Sequence, residues 1–209
     1  MFEKILNLLY PRTCGFCGEI SKESLCKKCE LKIKKYQINL IRKSKTDYFD
    51  EVCSVFKYED IIRDVLIKYK FHNKAYLYKT FVEVILKNKK ICGFLKKYDI
   101  IISVPISKER KKQRGYNQSE LVANEVARKL NIKIEKKVLK KHVNAKPQSE
   151  LSKAERKSNI KNVFKVQNLQ KINNMNILIF DDIYTTGSTV NECAKILKQF
   201  GANKVGVLT

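Results

Sequence analysis

At 209 residues, with 44% hydrophobic and 31% charged side chains, the chain has room for one mid-sized domain and a small appendage, and is too short for two full catalytic domains. No apolar run approaches the length of a membrane span. The net charge of +23 invites a polyanion, because a basic surface gains affinity by releasing condensed counterions; yet the lysines are spread along the whole sequence, a pattern that describes solvated faces as well as a nucleic-acid patch.

The first residues, MFEKILNLLYPRT, carry an apolar patch interrupted by Glu3 and lack the basic start and small-residue cleavage site of a signal peptide. A short docking helix ended by Pro11, in a cytoplasmic protein, is the expectation. Cys14, Cys17, Cys26 and Cys29 follow as two C-x2-C pairs separated by eight residues. Such pairs close a tetrahedral thiolate shell around zinc, each wrapping the metal from a tight turn, with Gly15 and Gly18 easing the first. Disulfides and buried free thiols are the rival readings, and a cytoplasmic chain disfavours disulfides. Four thiolates fill the shell, so the expected zinc is structural and holds a segment too small to bury its own core. Cys53, Cys92 and Cys193 lack partner spacing and read as core residues.

Lys32 to Lys45 is lysine-rich and reads as helix or linker, which puts the module boundary near residue 45, with residues 1–45 as module and linker and 46–209 as the main domain. Residues 52–58, VCSVFKY, suit a strand, after which Ile61, Ile62, Val65, Leu66 and Tyr69 recur at helical spacing. A second helix covers Leu77 to Leu86, and Lys70 falls between the two in KYKFHNK, where a cation in a loop can reach a phosphate. Residues 99–104, DIIISV, form an apolar strand ended by Pro105, leading into PISKERKKQRGYNQ, a rim loop crowded with Lys108, Arg110, Lys111, Lys112 and Arg114. Cations gathered there suit a pyrophosphate group. A helix over 117–130 buries Leu121, Val122, Val126 and Leu130; Ile132 to Val138 and Asn162 to Val166 are weaker strand candidates. The polar stretch 142–159 contains Ser152 and, three residues on, Glu155, a capping box. It reads either as a loop that closes over substrate and excludes water or as a plain surface connection.

Residues 177–189, ILIFDDIYTTGST, carry most of the chemistry. Ile177 to Phe180 form an unbroken apolar run that suits a strand covered on both faces of a parallel sheet. Side chains alternate along a strand, so Asp181 and Asp182 can serve one ligand only where that strand ends and turns, at the C-terminal rim where open α/β sheets bind ligands. Thr185, Thr186, Gly187, Ser188 and Thr189 supply N–H groups, hydroxyls and a permissive glycine able to wrap a phosphate monoester. The helix that follows places Val190, Cys193, Ala194, Leu197 and Phe200 on one face and turns its positive N-terminus to the loop, with Gly201 ending it. Lys204 to Leu208 is a last strand candidate. Strand, loop and helix repeated in this way predict an α/β fold of parallel βα units.

The 177–189 segment resembles the phosphoribosyl pyrophosphate (PRPP) motif of type I phosphoribosyltransferases. Together with the C-x2-C pairs, VPISKERKKQRGYNQ at 104–118 and KPQSELSKAERKSN at 146–159, it makes nearly the whole chain look like a member of the ComF family, which joins a four-cysteine zinc module to a type I phosphoribosyltransferase domain with a mostly parallel sheet. The resemblance implies that Asp181 and Asp182 hold the ribose hydroxyls and Thr185 to Thr189 the 5′-phosphate. It implies that Arg110, Arg114, Asn117 and Gln118 match the pyrophosphate side, joined by Lys70 and Lys111, and that Gln148, Leu151, Ser152, Arg156 and Asn159 match the flexible loop. PRPP held with Mg²⁺ would then give its phosphoribosyl group to a nitrogen nucleophile, making the chain a pentosyltransferase associated with competence and natural transformation. The alternative is a non-enzymatic DNA-uptake factor that keeps the fold as a scaffold. It would bind single-stranded DNA, a competence helicase and other DNA-uptake proteins, with Phe16, Tyr36, Tyr69, Tyr76 and Tyr116 available for stacking bases. The chain departs from the family's pattern at Asn144–Lys146, where a threonine is usual, and at His72 and Asn73, where glycine is common.

Overall fold

The computed structural model describes residues 11–141 and 163–209. The N-terminal apolar patch and the expected loop residues Gln148, Ser152 and Arg156 lie outside the described residues. Seven α-helices occur among those described: α1 (Lys27–Ile33), α2 (Asp60–Phe71), α3 (Tyr78–Lys87), α4 (Lys89–Leu95), α5 (Lys108–Arg114), α6 (Gln118–Leu130) and α7 (Ser188–Gln199). The strands are β1 (Gln37–Lys43), β2 (Glu51–Phe56), β3 (Ile100–Ser103), β4 (Lys133–Ile134), β5 (Leu139–Lys141), β6 (Phe164–Val166), β7 (Asn176–Phe180) and β8 (Lys204–Leu208).

Six of these strands make one sheet in the order β1-β2-β8-β7-β3-β4. All its neighbours are parallel except β1 and β2. β7 sits in the middle, with Ile179 opposite Ile102 of β3 and Val207 of β8. Its side chains feed two separate cores. Leu178 and Phe180 join Ile101, Leu208, Val55 and the buried sides of α2, α3 and α6, whereas Ile177 and Ile179 join Ile102, Val205 and the Val190, Cys193 and Leu197 face of α7. A strand covered on both faces has no reason to alternate apolar with polar, which is why ILIF reads as a continuous run. β5 and β6 form a separate antiparallel pair packed on the α7 side.

Four expectations are corrected by this fold. Residues 37–43, expected to be helix or linker, are an edge strand whose half-exposed side chains disguise it. The basic loop after β3 is the short helix α5, started by Ser107, whose Oγ accepts from the Arg110 N–H, and stopped by Gly115 at φ 75°. Of Ile132 to Val138 only β4 is strand, while Val138 turns into the α7-side core. Phe200, expected on the buried face of the last helix, is 43% exposed because α7 ends at Gln199 and Gly201, at φ 92°, turns the chain away. β2, β3, β6, β7, β8, α2, α3, α6 and α7 fall where the residue pattern puts them, whereas α1 and β5 are not among the expected elements. α4, capped by the Asn88 side chain, is an addition that its lysine-rich first turn conceals.

Candidate functional site

β7 carries its ladder one bond past the strand, the Asp181 N–H donating to the Leu208 carbonyl at 3.0 Å. Asp181 then turns its carboxylate inward. Its Oδ1 accepts from Ser119 Oγ at 3.4 Å and from the Asp182 N–H at 2.9 Å. Burial, with the neighbouring Asp182 charge second, pushes the Asp181 carboxyl up to about 7. Asp182 is ion-paired, its Oδ2 lying 2.8 Å from Lys70 Nζ with both side chains mostly covered. Lys70 is therefore in the last turn of α2, not in a loop, and faces the acidic pair. The two adjacent aspartates thus meet at one place with different partners.

The residues expected to form a phosphate loop follow directly. Thr186 Oγ1 and Ser188 Oγ are 2.7 Å apart, and the Ser188 N–H donates to Thr186 Oγ1 at 3.4 Å. Gly187 holds φ 74° between them, and its carbonyl receives the Asn191 N–H at 2.8 Å. A Cβ at position 187 would stand 2.5 Å from the Tyr184 hydroxyl oxygen, so the glycine allows both the left-handed turn and the close approach of that ring. Thr185 is exposed at the tip, and Ser188 and Thr189 open α7, whose N-terminal N–H groups favour an anion. From the far edge of the sheet, Arg42 Nη2 reaches the Tyr184 hydroxyl at 3.4 Å. Neither Arg42 nor Ser119 carries a signal in the sequence, since both come from elements distant in the chain.

The cations of α5 divide. Lys111 pairs with Glu120 at 3.9 Å, at the surface. Arg114 donates from Nη1 to Gln118 Oε1 at 3.1 Å, and its guanidinium lies 4.9 Å from the centre of the Phe71 ring. Burial, and then the nearby Arg110, disfavour the charged form of Arg114; the same two causes lower Lys141 at the end of β5. Like charges brought this close suit a multiply charged anion. Lys141 is hidden in the sequence because only the fold-back of β5 brings it towards Arg110.

The cysteine pairs converge. The four sulfurs of Cys14, Cys17, Cys26 and Cys29 all lie within 4.8 Å of one another, and none is in a disulfide. The four cysteines are positioned to bind a metal ion. Tetrahedral zinc, at about 2.3 Å from each sulfur, separates the sulfurs by about 3.8 Å, and Cys17 and Cys26 are 3.8 Å apart. Backbone N–H groups point at the cluster, the Cys26 N–H at Cys14 Sγ and the Cys29 N–H at Cys26 Sγ, both at 3.4 Å. Burial opposes ionisation of Cys14, yet N–H groups from Cys17, Cys26 and Phe16 hold its thiol at about 7; burial and the other thiols push Cys29 far up. Four such thiols ionise together only around a cation. Gly18, at φ 80°, makes the expected turn. Gly15 serves the packing instead. A side chain there would strike Thr80 and Leu77, so the glycine lets the module lie against α3, where Thr80 Oγ1 donates to the Ser24 carbonyl at 2.9 Å.

Of the five aromatic residues considered for stacking, Phe16, Tyr36 and Tyr69 are buried. Tyr116 is stacked on Tyr69, with its hydroxyl donating to the Tyr69 carbonyl. Tyr76, 46% exposed, is the one of the five open to a partner. Among the described residues no helix is long and apolar enough to cross a membrane.

Comparison with known proteins matches residues 117–209 to the phosphoribosyl transferase domain family. Along nearly the full length, the chain is 26% identical over 206 residues to "Competence protein F" of Haemophilus influenzae, covering 90% of each chain. It is 28% identical over 201 residues to "Competence protein ComFC" of Bacillus subtilis, covering 94% of this chain and 75% of that one. With "DNA utilization protein YhgH" of Salmonella typhimurium it shares 29% over 209 residues, covering 97% and 91%.

Proposed function

From the premise that this chain carries a phosphoribosyl transferase domain and has the ComF resemblance along most of its length, we propose that it binds PRPP with Mg²⁺ and transfers the phosphoribosyl group to a nitrogen nucleophile. The observation that carries this reading is the adjacency of Asp181 and Asp182, at the end of the central parallel strand, to the Thr186–Gly187–Ser188 turn that opens α7. The carboxylates are suited to the two ribose hydroxyls, and the turn and helix N-terminus to the 5′-phosphate. Arg110, Arg114 and Lys141 supply positive charge for the pyrophosphate. In the transfer, the bond from the anomeric carbon to the pyrophosphate oxygen breaks with its electron pair leaving on pyrophosphate. The bond to nitrogen forms, and the nitrogen's proton passes to solvent. Mg²⁺, held mostly through ribose and pyrophosphate oxygens, would supply charge neutralisation at the phosphates when bound.

Zinc is our reading for the cysteine cluster, on the ground that a four-sulfur shell is closed and structural, and a cytoplasmic setting agrees with four free thiols so close together. Titration calorimetry with PRPP and Mg²⁺ tests the main proposal. Wild-type protein should give binding heat, and Asp182→Asn should weaken affinity by about tenfold or more, the loss of one charged hydrogen bond. Absence of both binding heat and thermal stabilisation at saturating PRPP overturns the proposal.

A second reading, single-stranded DNA binding with a helicase partner, draws on the +23 charge and on the relatives' names, which speak of competence and DNA utilization. It ranks second because four of its five candidate stacking rings are buried or packed against one another. Salt-dependent binding to single strands that survives Asp181→Ala with Asp182→Ala would separate it from PRPP chemistry.

A further inference from the structure

Arg42, on the edge strand β1, reaches back to the turn that opens α7. It is paired with Val52 of β2, which in turn is paired with Val207 of β8. Residues directly opposite in a sheet share a face, and Val52 and Val207 belong to the core on the α7 side. Arg42 therefore leaves the sheet on that side, level with the end of β8. There its Nη2 donates to the Tyr184 hydroxyl at 3.4 Å. The same hydroxyl is the atom for which Gly187 makes room, so one oxygen atom separates the guanidinium from the Thr186–Gly187–Ser188 turn.

Two further contacts hold this approach in place. In the turn between β1 and β2 the Tyr48 N–H donates to Asn191 Oδ1 at 2.6 Å, and the Asn191 N–H donates to the Gly187 carbonyl at 2.8 Å. Buried Phe49 meets the Tyr184 ring edge to face, with 6.3 Å between centres, so that ring is caught between Phe49 and Gly187. The direction of the hydroxyl then follows from chemistry. A guanidinium carries donors only, so Tyr184 accepts from Arg42 and keeps its own hydrogen to give. Among the described residues that hydrogen meets no acceptor, and Arg42 has no carboxylate at ion-pair distance. Asp47, whose charge reaches Tyr184 from the same turn, accepts instead from Ser44 Oγ at 2.7 Å.

We propose that Arg42 and Tyr184 bind the 5′-phosphate of the ligand from the open side of the Thr185–Thr189 loop, an assignment that rests on the PRPP reading above. A phosphate monoester carries a charge of about −1.5 to −2 at neutral pH, and Thr185 to Thr189 include no cation. The N–H groups and hydroxyls of the loop give the phosphate its place, Tyr184 adds a hydroxyl donor, and Arg42 supplies the full positive charge that the loop lacks. The pair makes the site selective for phosphorylated ribose. It also divides the work between the two sides of β7: the edge strand β1 serves the 5′-phosphate, and the Arg110 and Arg114 of α5 serve the pyrophosphate.

The test uses the full chain and two probes, ribose 5-phosphate and inorganic pyrophosphate, each titrated by calorimetry. Arg42→Gln should weaken ribose 5-phosphate about tenfold, the worth of one charged hydrogen bond, and leave pyrophosphate within about twofold of wild type. Arg42→Lys returns the charge without the planar fork and should recover part of the loss, which a merely structural role would not do. Tyr184→Phe keeps the ring between Phe49 and Gly187 and removes only the hydroxyl; it should weaken ribose 5-phosphate about threefold or more, and it carries the test should Arg42→Gln fail to fold. Failure of ribose 5-phosphate to bind wild type, equal losses for both probes, no recovery in Arg42→Lys, or full affinity in Tyr184→Phe overturns the assignment. PRPP with Mg²⁺ is titrated separately into the same preparations. PRPP held equally by wild type and Arg42→Gln removes the assignment and leaves the PRPP reading standing. Ribose 5-phosphate held through Arg42 by a protein that does not bind PRPP leaves the assignment and removes the transferase reading.

Discussion

In the cysteine cluster, four sulfurs from sixteen consecutive residues lie within 4.8 Å of one another, whereas the rim gathers Arg42, Lys70, Ser119 and Asp182 from four elements spread over most of the chain. The first arrangement closes over short loops, and although Phe16, Leu25 and Ile33 reach the core shared with α2, α3 and α6, the order of the sulfurs themselves depends on what they bind. The second rests on two buried cores, one on each face of β7, and keeps its shape through packing. A site assembled locally leans on its ligand for stability, and a site assembled from afar leans on the fold. Removing the ligand should therefore injure the module more than the rim.

The largest expected effect tests the module. Cys29→Ser removes a buried sulfur from the cluster and should release the metal. Several kcal/mol of stability would go with it, lowering the melting temperature by about 10 °C or more for a chain of this size. A chelator should do the same to wild type and nothing further to the variant. Calorimetric melting with metal analysis checks this, and a variant melting within about 2 °C of wild type would mean that the module stands without its metal.

At the rim the corresponding test is pH. The Asp181 carboxyl is raised to about 7 by burial and by Asp182, so the folded state holds its proton in a range where the unfolded chain, with an ordinary carboxyl near 4, has lost it. The stability this proton contributes is full below about pH 4 and is lost as pH rises through 7. Asp181→Asn has no proton to lose. Denaturant midpoints taken at about pH 5 and about pH 8 should show wild type losing ground to the variant at the higher value; parallel profiles would show that Asp181 is not strained by its surroundings.

Gly187→Ala comes next. A left-handed backbone costs a residue with a Cβ about 1–2 kcal/mol, and here the new methyl also displaces the Tyr184 ring. The expected result is a loss of stability of that order, read from urea midpoints, with weakened PRPP affinity. A stable variant that kept full affinity would detach the glycine from the phosphate loop's geometry.

These contrasts also explain what can be read from the sequence. The C-x2-C pairs, the ILIF run and the Asp-Asp-loop-helix string are local, and for each the relevant physics lies in residue type and spacing. β1 escapes because edge strands are half exposed and the lysines in its stretch resemble a solvated helix or linker. α5 escapes because a short helix started by Ser107 and stopped by Gly115, with no buried residue, leaves no apolar stripe. Lys70 reads as a useful cation on the pyrophosphate side, since nothing local says that the last turn of α2 faces Asp182. The Gln118 side-chain nitrogen, without a hydrogen-bond partner among the described residues, is illegible for the same reason: Arg114, four residues earlier in the chain, claims the other end of the amide.

The smallest effect concerns how tightly the two regions are joined. Lys87 at the end of α3 is 2.9 Å from Glu83 on its own helix, 3.2 Å from Glu30 and 3.6 Å from Glu23 in the cysteine module. The Glu83 bond, with Glu30 behind it, raises the lysine well above its ordinary range. The side chain is nevertheless 42% exposed, so solvent and salt screen the pairs and Lys87→Ala should cost no more than about 1 kcal/mol. The Thr80–Ser24 hydrogen bond and the close approach at Gly15 would still hold the module to α3. Melting at low salt should show a shift of a few degrees at most, fading in about 1 M salt, where the Debye length falls to about 3 Å. A larger shift that persisted in salt, together with earlier loss of metal, would show that the two regions stabilise each other, and the contrast between a ligand-held module and a fold-held rim would have to be withdrawn.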